Sequence, residues 1–366
     1  MAQTSPRTMD LRKIPVSQLR KLKKDPEKSA LVSALKYVND RSPGIERIKH
    51  GKKFRYRFNG RPVNDEVTLS RIASLAIPPA WTDVWICKDA NGHLQATGKD
   101  VRGRKQYRYH PKWSDVRSQT KFHHTLEFGL SLPAIRDRLN KDMAQPGLTK
   151  EKVLSMVVSI MDHAHIRVGN AEYEKQNNSY GLSTMKDKHV KPEGGSVRLV
   201  FRGKTGILHD VKIRSRKLAR MIMRCRDLPG QELFQYVAED GTPRPIDSGM
   251  INEHIKNISG GEFTSKDFRT WKGTVHCLSA LLAEACPDQA RERKESLNRA
   301  LDEAARQLGN TRAVCRKYYV HPEILSAYEC AKLHDLIESE KADEVCDDGY
   351  SYEERLVLKA LKRSMK

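Results

Sequence analysis
A chain of 366 residues is long enough for two domains, with a full core in at least one. Its 67 lysines and arginines against 46 aspartates and glutamates give a formal charge of +21 spread over both halves, which points to a polyanion held by a large enclosing surface, nucleic acid before an acidic membrane. Seven cysteines without a CxxC pair indicate neither a zinc site nor a redox motif and suggest a reduced, cytoplasmic protein, and the most apolar stretch, Val153 to Met161, is too short to span a bilayer.

Residues 1–28, dense in basic side chains and interrupted by Pro15 and Pro26, predict a flexible basic arm without the apolar run of a signal peptide. A helix fits Ala30 to Val38, and Gly44 to Val63 then alternates around HGKK and NGRP like a short β-meander. Val67 to Ala76 fits a second helix, stopped by Pro78 and Pro79. Val84 to Gln95 makes a hairpin around Asp89-Ala90-Asn91-Gly92. The pattern changes near Trp113, so residues 29–113 are expected to form a small domain with a mixed β-sheet.

From about Lys121 the apolar spacing turns helical. Val153, Met156, Val157, Ile160 and Met161 mark a deeply buried helix that Gly169 can cap, which places Arg167 in its last turn. Val197, Leu199 and Phe201, then Ile207, His209, Val211 and Ile213, alternate on the two sides of RGKTG as a hairpin with Lys204 at its tip. Phe268, Trp271, Val275, Leu278 and Leu282 line one further helix, with Arg269 early on it, and Leu297 to Leu308 line another that ends at Gly309. The fold class expected is α+β: the sheet domain, a mainly helical catalytic domain over 114–335 carrying the hairpin, and a peripheral tail and helix over 336–366.

Tyr319, Arg167, Lys204 and Arg269 suggest attack on a nucleic-acid phosphate. A phosphodiester gathers negative charge on its non-bridging oxygens in the transition state, and fixed guanidinium groups stabilise that charge without reorganising. A phenol can displace an alkoxide and keep the phosphate as an ester. The departing alkoxide needs a proton, which a lysine among these cations is expected to supply. Each residue also has a plain reading. The arginines could be structural, Lys204 a solvated turn lysine, and Tyr318 competes with Tyr319. His321 is expected to cap or pack near Pro322, and His163-Ala164-His165 on a helix would point to different faces, a poor metal clamp. No HExxH string and no GxxxxGK[ST] loop occurs, so neither a metal nor ATP is expected as a cofactor.

Five strings carry a resemblance: QATGKDVRGRKQYRYHP (Gln95 to Pro111), IRVGNAEYEKQNNSYGLSTMKDKHV (Ile166 to Val190), FRGKTG, SKDFRTWKGT and LGNTRAVCRKYYVHP. In this order they resemble the type IB DNA topoisomerases, the compact poxviral and bacterial branch, from about Ser29 to Tyr328. The resemblance implies the fold shared with the tyrosine recombinases, Tyr319 as nucleophile, and Arg167, Lys204 and Arg269 as its partners. Asn310 takes the fifth place, where viral members usually carry His and bacterial ones often Asn. It further implies a protein that acts as a monomer on double-stranded DNA in the cytoplasm, at the nucleoid, and relaxes supercoils without ATP through a 3′-phosphotyrosine.

Further DNA contacts are expected from Lys105, Gln106, Tyr107, Arg108 and Tyr109, where charged groups alternate with amide and phenol groups able to read base edges or phosphates, and from Tyr173. An ordinary amphipathic strand is the plain alternative. Two rivals remain at this point. Tyrosine recombinases share the arginines, lysine and tyrosine but usually have a His-x-x-Arg string, where Lys266 precedes Asp267-Phe268-Arg269 here. A DNA-packaging protein would need the charge but not Tyr319.

Overall fold
The computed structural model describes residues 25–51, 53–337 and 348–364, with the side chains of 115–123, 173, 205 and 364 left aside. Most of the expected basic arm, and residues 338–347 of the tail, lie outside the described residues. The chain forms two compact units, Met1–His124 and Thr125–Lys366.

In the first unit the opening helix is α1 (Pro26–Val32), four residues ahead of the span that the apolar pattern suggested. Asp25 caps it by accepting from Lys28 N at 3.0 Å, Pro26 supplies a preset first turn, and the left-handed Ala34 (φ 53°) ends it. Then follow β1 (Ile45–His50), β2 (Lys53–Phe58) and β3 (Arg61–Pro62), with Asn59 and Gly60 both at positive φ in the β2–β3 turn. Helix α2 (Glu66–Ser74) is capped by Asp65, and β4 (Thr82–Ile86), β5 (Leu94–Lys99) and β6 (Lys105–Tyr109) complete a six-stranded sheet of order β3-β2-β1-β4-β5-β6. Every pairing in it is antiparallel, where the sequence suggested a mixed sheet. Most successive strands are joined by turns too short for a parallel crossover. One face buries Ile45, Ile86 and Ala96 against Ile72 of α2.

Helix α3 (Pro111–Ala144) runs across the division between the units, beginning before and ending well after the pattern change at Trp113. The second unit continues with α4 (Lys150–Ala164), α5 (Ala171–Asn177), the three-stranded sheet β7 (Val190–Glu193), β8 (Ser196–Arg202) and β9 (Leu208–Ile213), and α6 (Arg216–Arg226). Next come α7 (Ser248–Ser259), α8 (Ser265–Leu282), α9 (Ala290–Leu308), α10 (Arg312–Tyr318), α11 (Pro322–Glu329), α12 (Leu333–Ile337) and α13 (Tyr352–Ser364). Their shared core holds Phe128, Met156, Ile160, Phe268, Trp271 and Leu301, and each such side chain contributes roughly 1.5–3 kcal/mol of burial. Among the described residues no helix is long and apolar enough to cross a membrane.

The last helix is not peripheral. Leu356, Val357 and Leu361 of α13 lie in the main core, and Glu354 is buried. That carboxylate accepts from Trp271 Nε1 at 3.1 Å, Lys272 Nζ at 2.9 Å and Arg136 Nη2 at 2.8 Å. Burial pushes its pKa up, but Arg136 and Lys272 outweigh this and hold it well below the usual carboxylate range. The basic residues near the C-terminus suggested a peripheral helix, yet its apolar positions recur every three to four residues and need a partner.

Candidate active site
Four elements of the second unit bring Arg167, Arg269, Asn310 and Tyr319 together. Helix α4 ends at Ala164, because His165 turns left-handed (φ 57°) and donates its N–H to Met161 O at 3.1 Å. Arg167 therefore lies beyond the helix and not in its last turn as the pattern suggested. It sits in an extended segment whose carbonyls accept from Leu182 N at 2.9 Å (Arg167 O) and Ser183 N at 2.6 Å (Val168 O). Gly169, at φ 95°, allows this close approach to Gly181.

From that segment Arg167 Nη2 donates to Asn310 Oδ1 at 2.6 Å and to Gly309 O at 3.3 Å. Asn310 follows the left-handed Gly309 that closes α9. Its Nδ2 faces Leu308 O at 3.5 Å, at the limit of a hydrogen bond, so the amide keeps donor capacity.

Arg269, on the first turns of α8, is only 5% exposed. Its Nη2 donates to Leu308 O at 2.6 Å and its Nη1 to His165 O, while among the described residues its buried Nε has no hydrogen-bond partner. Among the described residues neither Arg167 nor Arg269 forms an ion pair with a carboxylate. Burial, with the repulsion of Arg167, pushes Arg269 down to about 10, against an opposing pull from Tyr319. Burial also lowers Arg167, and Tyr319 again opposes the shift. The His165 turn beneath Arg269 is itself neutral. Burial and the neighbouring His276, at 2.9 Å between Nε2 atoms, push it down to about 3. His163 instead faces Ser159 O with its Nδ1, so the two histidines of the HAH string diverge.

Tyr319 is the residue that closes α10, half-buried, with Arg269 Cζ 5.3 Å from its ring centroid. Tyr318 is 44% exposed and pairs with Lys317 instead. The backbone of Tyr319 rests on α8: a Cβ at Gly273 would lie 2.6 Å from Tyr319 O, and Thr274 Oγ1 donates to that oxygen at 3.3 Å. Gly273 and Thr274 went unnoticed in the sequence, although the glycine one turn after Arg269 in RTWKGT was the available signal. Lys204 stands at the exposed tip between β8 and β9, where Gly203 N donates to Ile207 O at 2.8 Å. His321 caps α11, its Nδ1 accepting from Glu323 N at 3.2 Å, as its place before Pro322 suggested.

In the first unit the strand Lys105–Tyr109 alternates. Tyr107 and Tyr109 are exposed and stacked at 5.9 Å, and Lys105 pairs with Asp40 at 2.5 Å. Gln106 and Arg108 turn to the other face, Gln106 donating to Asp100 at 3.0 Å and Arg108 to Ala76 O at 3.1 Å. Register carries the Tyr107 face across Thr97, Trp85 and Glu46 to Arg57, with Arg55 also exposed, two cations that sequence reading passed over. The side chain of Tyr173, on α5, lies outside the described residues.

Residues 110–343 match the model of the family described as eukaryotic DNA topoisomerase I, catalytic core, and residues 53–100 match that of the bacterial DNA topoisomerase IB N-terminal domain. The chain belongs to the type IB DNA topoisomerases. DNA topoisomerase 1B of Acanthamoeba polyphaga mimivirus is 36% identical over 296 residues, 78% of this chain and 88% of that protein. DNA topoisomerase 1B of vaccinia virus (strain Copenhagen) is 22% identical over 303 residues, 81% and 93% of the two chains. As a type IB topoisomerase the protein is an isomerase that acts on DNA, and the four converging side chains all fall within the catalytic-core match.

Proposed function
We propose that this topoisomerase relaxes supercoiled duplex DNA as a monomer at the nucleoid, without ATP or a metal, by attack of Tyr319 on a backbone phosphate. The observation that supports this most is the pair of arginines beside one half-buried phenol, buried or half-buried and held by carbonyl and amide oxygens without any carboxylate among the described residues. A guanidinium carried so far out of water calls for an anion, and a phosphate oxygen supplies it.

Tyr319 Oη bonds to phosphorus as its proton passes to water, and the bond from phosphorus to the 5′-oxygen breaks. Lys204 gives a proton to that oxygen, leaving a 5′-hydroxyl and a 3′-phosphotyrosine. The nicked strand swivels about its partner. The 5′-hydroxyl then attacks the phosphotyrosine, returning its proton to Lys204, and the phenolate regains one from water. The ester stores the bond energy, so no nucleotide is consumed.

Relaxation of a plasmid of arbitrary sequence in EDTA without ATP tests the whole reading. End-labelling tests its polarity, since trapped nicks should have a 5′ end open to a kinase and a 3′ end blocked by protein. A blocked 5′ end, or activity that needs paired sites and rises with the square of protein concentration, would reject it.

Asn310 supports Arg167 and offers a donor to the phosphate. Asn310→Ala should slow single-turnover cleavage by the worth of one hydrogen bond to a charged group, roughly 1.5–3 kcal/mol. Asn310→His should retain substantial activity, because an imidazole can also donate. Equal rates for Asn310→Ala and wild type would make the position structural only.

Binding should be steeply salt-dependent, with a log–log slope near −0.9 per phosphate contacted and about 6–10 contacts. The double change Arg55→Ala/Arg57→Ala should reduce the slope's magnitude by about 1.8 if both cations meet phosphates. Arg108→Ala should instead lower thermal stability and leave the slope alone, because its guanidinium serves Ala76 O and lies 5.7 Å from the Trp81 ring centroid. The reverse pattern in a salt titration would move the DNA contacts to the other face of the sheet.

A further inference from the structure
The hairpin that carries Lys204 meets the arginine cluster through one side chain that the reaction scheme leaves unused. His209 pairs across the β8–β9 ladder with Phe201 and stacks on its ring, 5.0 Å between centroids and 10° from parallel. Its imidazole passes between two glycines. A Cβ at Gly203, the residue before Lys204, would lie 2.5 Å from His209 Cδ2, and one at Gly309, the residue before Asn310, would lie 2.9 Å from Cε1.

Gly309 has a second reason to be glycine, its left-handed φ of 57° at the end of α9. Gly203 has none: at φ −89° and ψ −165° its backbone suits any residue, so the close imidazole is what accounts for it. Arg167 Nη1 is 4.0 Å from the Gly309 Cβ position, which places the guanidinium at the same junction.

We propose that His209 is a positioning residue, a flat ring wedged between Gly203 and Gly309 that holds the Lys204 hairpin against the Arg167–Asn310 pair. Burial, with Arg167 and Arg269 nearby, lowers its pKa, so at neutral pH the wedge is an uncharged ring that adds no third cation. The inference rests on the reading of Lys204 as the acid for the 5′-oxygen, because a proton donor on a hairpin tip works only if the tip is fixed.

The test compares full-length His209→Ala, His209→Phe, Gly203→Ala, Lys204→Ala and Arg167→Ala on two duplexes, one normal and one with a 5′-bridging phosphorothiolate whose leaving group needs no acid. His209→Ala and Gly203→Ala should cleave the normal duplex more slowly, on the order of 10²-fold for a misplaced group. The sulfur substrate should restore both, as it restores Lys204→Ala, and should not restore Arg167→Ala. His209→Phe keeps the flat ring and should stay near wild type. A His209→Phe enzyme as slow as His209→Ala would overturn the wedge.

Hydrogen exchange without DNA separates the two readings. In His209→Ala the amides of Gly203 and Gly206, which close the tip through Ile207 O and Gly203 O, should exchange faster while the melting temperature holds. Unchanged exchange overturns the positioning role. If Lys204→Ala itself is not restored by sulfur, the acid assignment fails, and the exchange result alone then decides the role of His209.

Discussion
Tyr319→Phe is expected to abolish strand cleavage and relaxation while duplex affinity stays at the wild-type level. The change removes one oxygen, the atom that would bond to phosphorus, and leaves a ring with no group to take up the phosphate. The ring is retained, and with it the stacking under Arg269 at 5.3 Å and the fit of the Tyr319 backbone over Gly273. Binding depends on cations that the substitution leaves in place. Tyr318 is the one competitor next in the chain, but it is 44% exposed and associated with Lys317. Denaturing gels of labelled duplex, read for covalent adduct over long incubations, make the measurement. Any adduct formed by Tyr319→Phe above the level of denatured enzyme would transfer the nucleophile to Tyr318 or another group.

Arg167, Arg269, Asn310 and Tyr319, which the sequence singled out in short, distinctive strings, lie side by side in the structure, while Lys204 stands at the exposed hairpin tip. The hairpin around RGKTG followed from strict alternation on both sides of a glycine pair, and the observed ladder pairs Phe201 with His209 as that alternation requires. What periodicity could not give was the end of α4. Nothing in apolar spacing says that His165, a non-glycine residue, turns left-handed, and the helix was therefore extended over Arg167. The consequence is chemical as well as geometric, since the carbonyl freed at His165 becomes an acceptor for Arg269.

Long-range packing was the other blind spot. A charged C-terminal helix looks peripheral until Trp271, Lys272 and Arg136 are seen to converge on Glu354. All three are far from Glu354 in the chain, and a buried carboxylate announces itself only through its partners. The face of β2 shows the same limit: Arg55 and Arg57 lie on the Tyr107 side of the sheet because of strand register, which a single strand does not reveal.

The second large effect is expected at Arg269, and Arg269→Lys is the sharper form of the test. Arg269→Ala and Arg167→Ala should each slow cleavage and resealing together, by about 10²-fold or more if each acts like an oxyanion-hole donor, because in the proposed reaction both steps share one pentacoordinate phosphate. Lysine keeps the charge at position 269 but not the fork. The guanidinium spends Nη1 and Nη2 on His165 O and Leu308 O, and among the described residues its buried Nε has no hydrogen-bond partner. An ammonium carries its three donors on one nitrogen and lacks the spread of the guanidinium fork, so it should not reach both backbone carbonyls and a phosphate oxygen together. Arg269→Lys should therefore lose nearly as much rate as Arg269→Ala. Single-turnover cleavage and religation rates, measured at saturating enzyme, give both numbers, and their ratio should stay near the wild-type equilibrium. A lysine variant within a few-fold of wild type would mean that charge alone suffices at this position. The directional contact inferred from the partner-free Nε would then have to be abandoned, while Arg269 kept its place beside Tyr319.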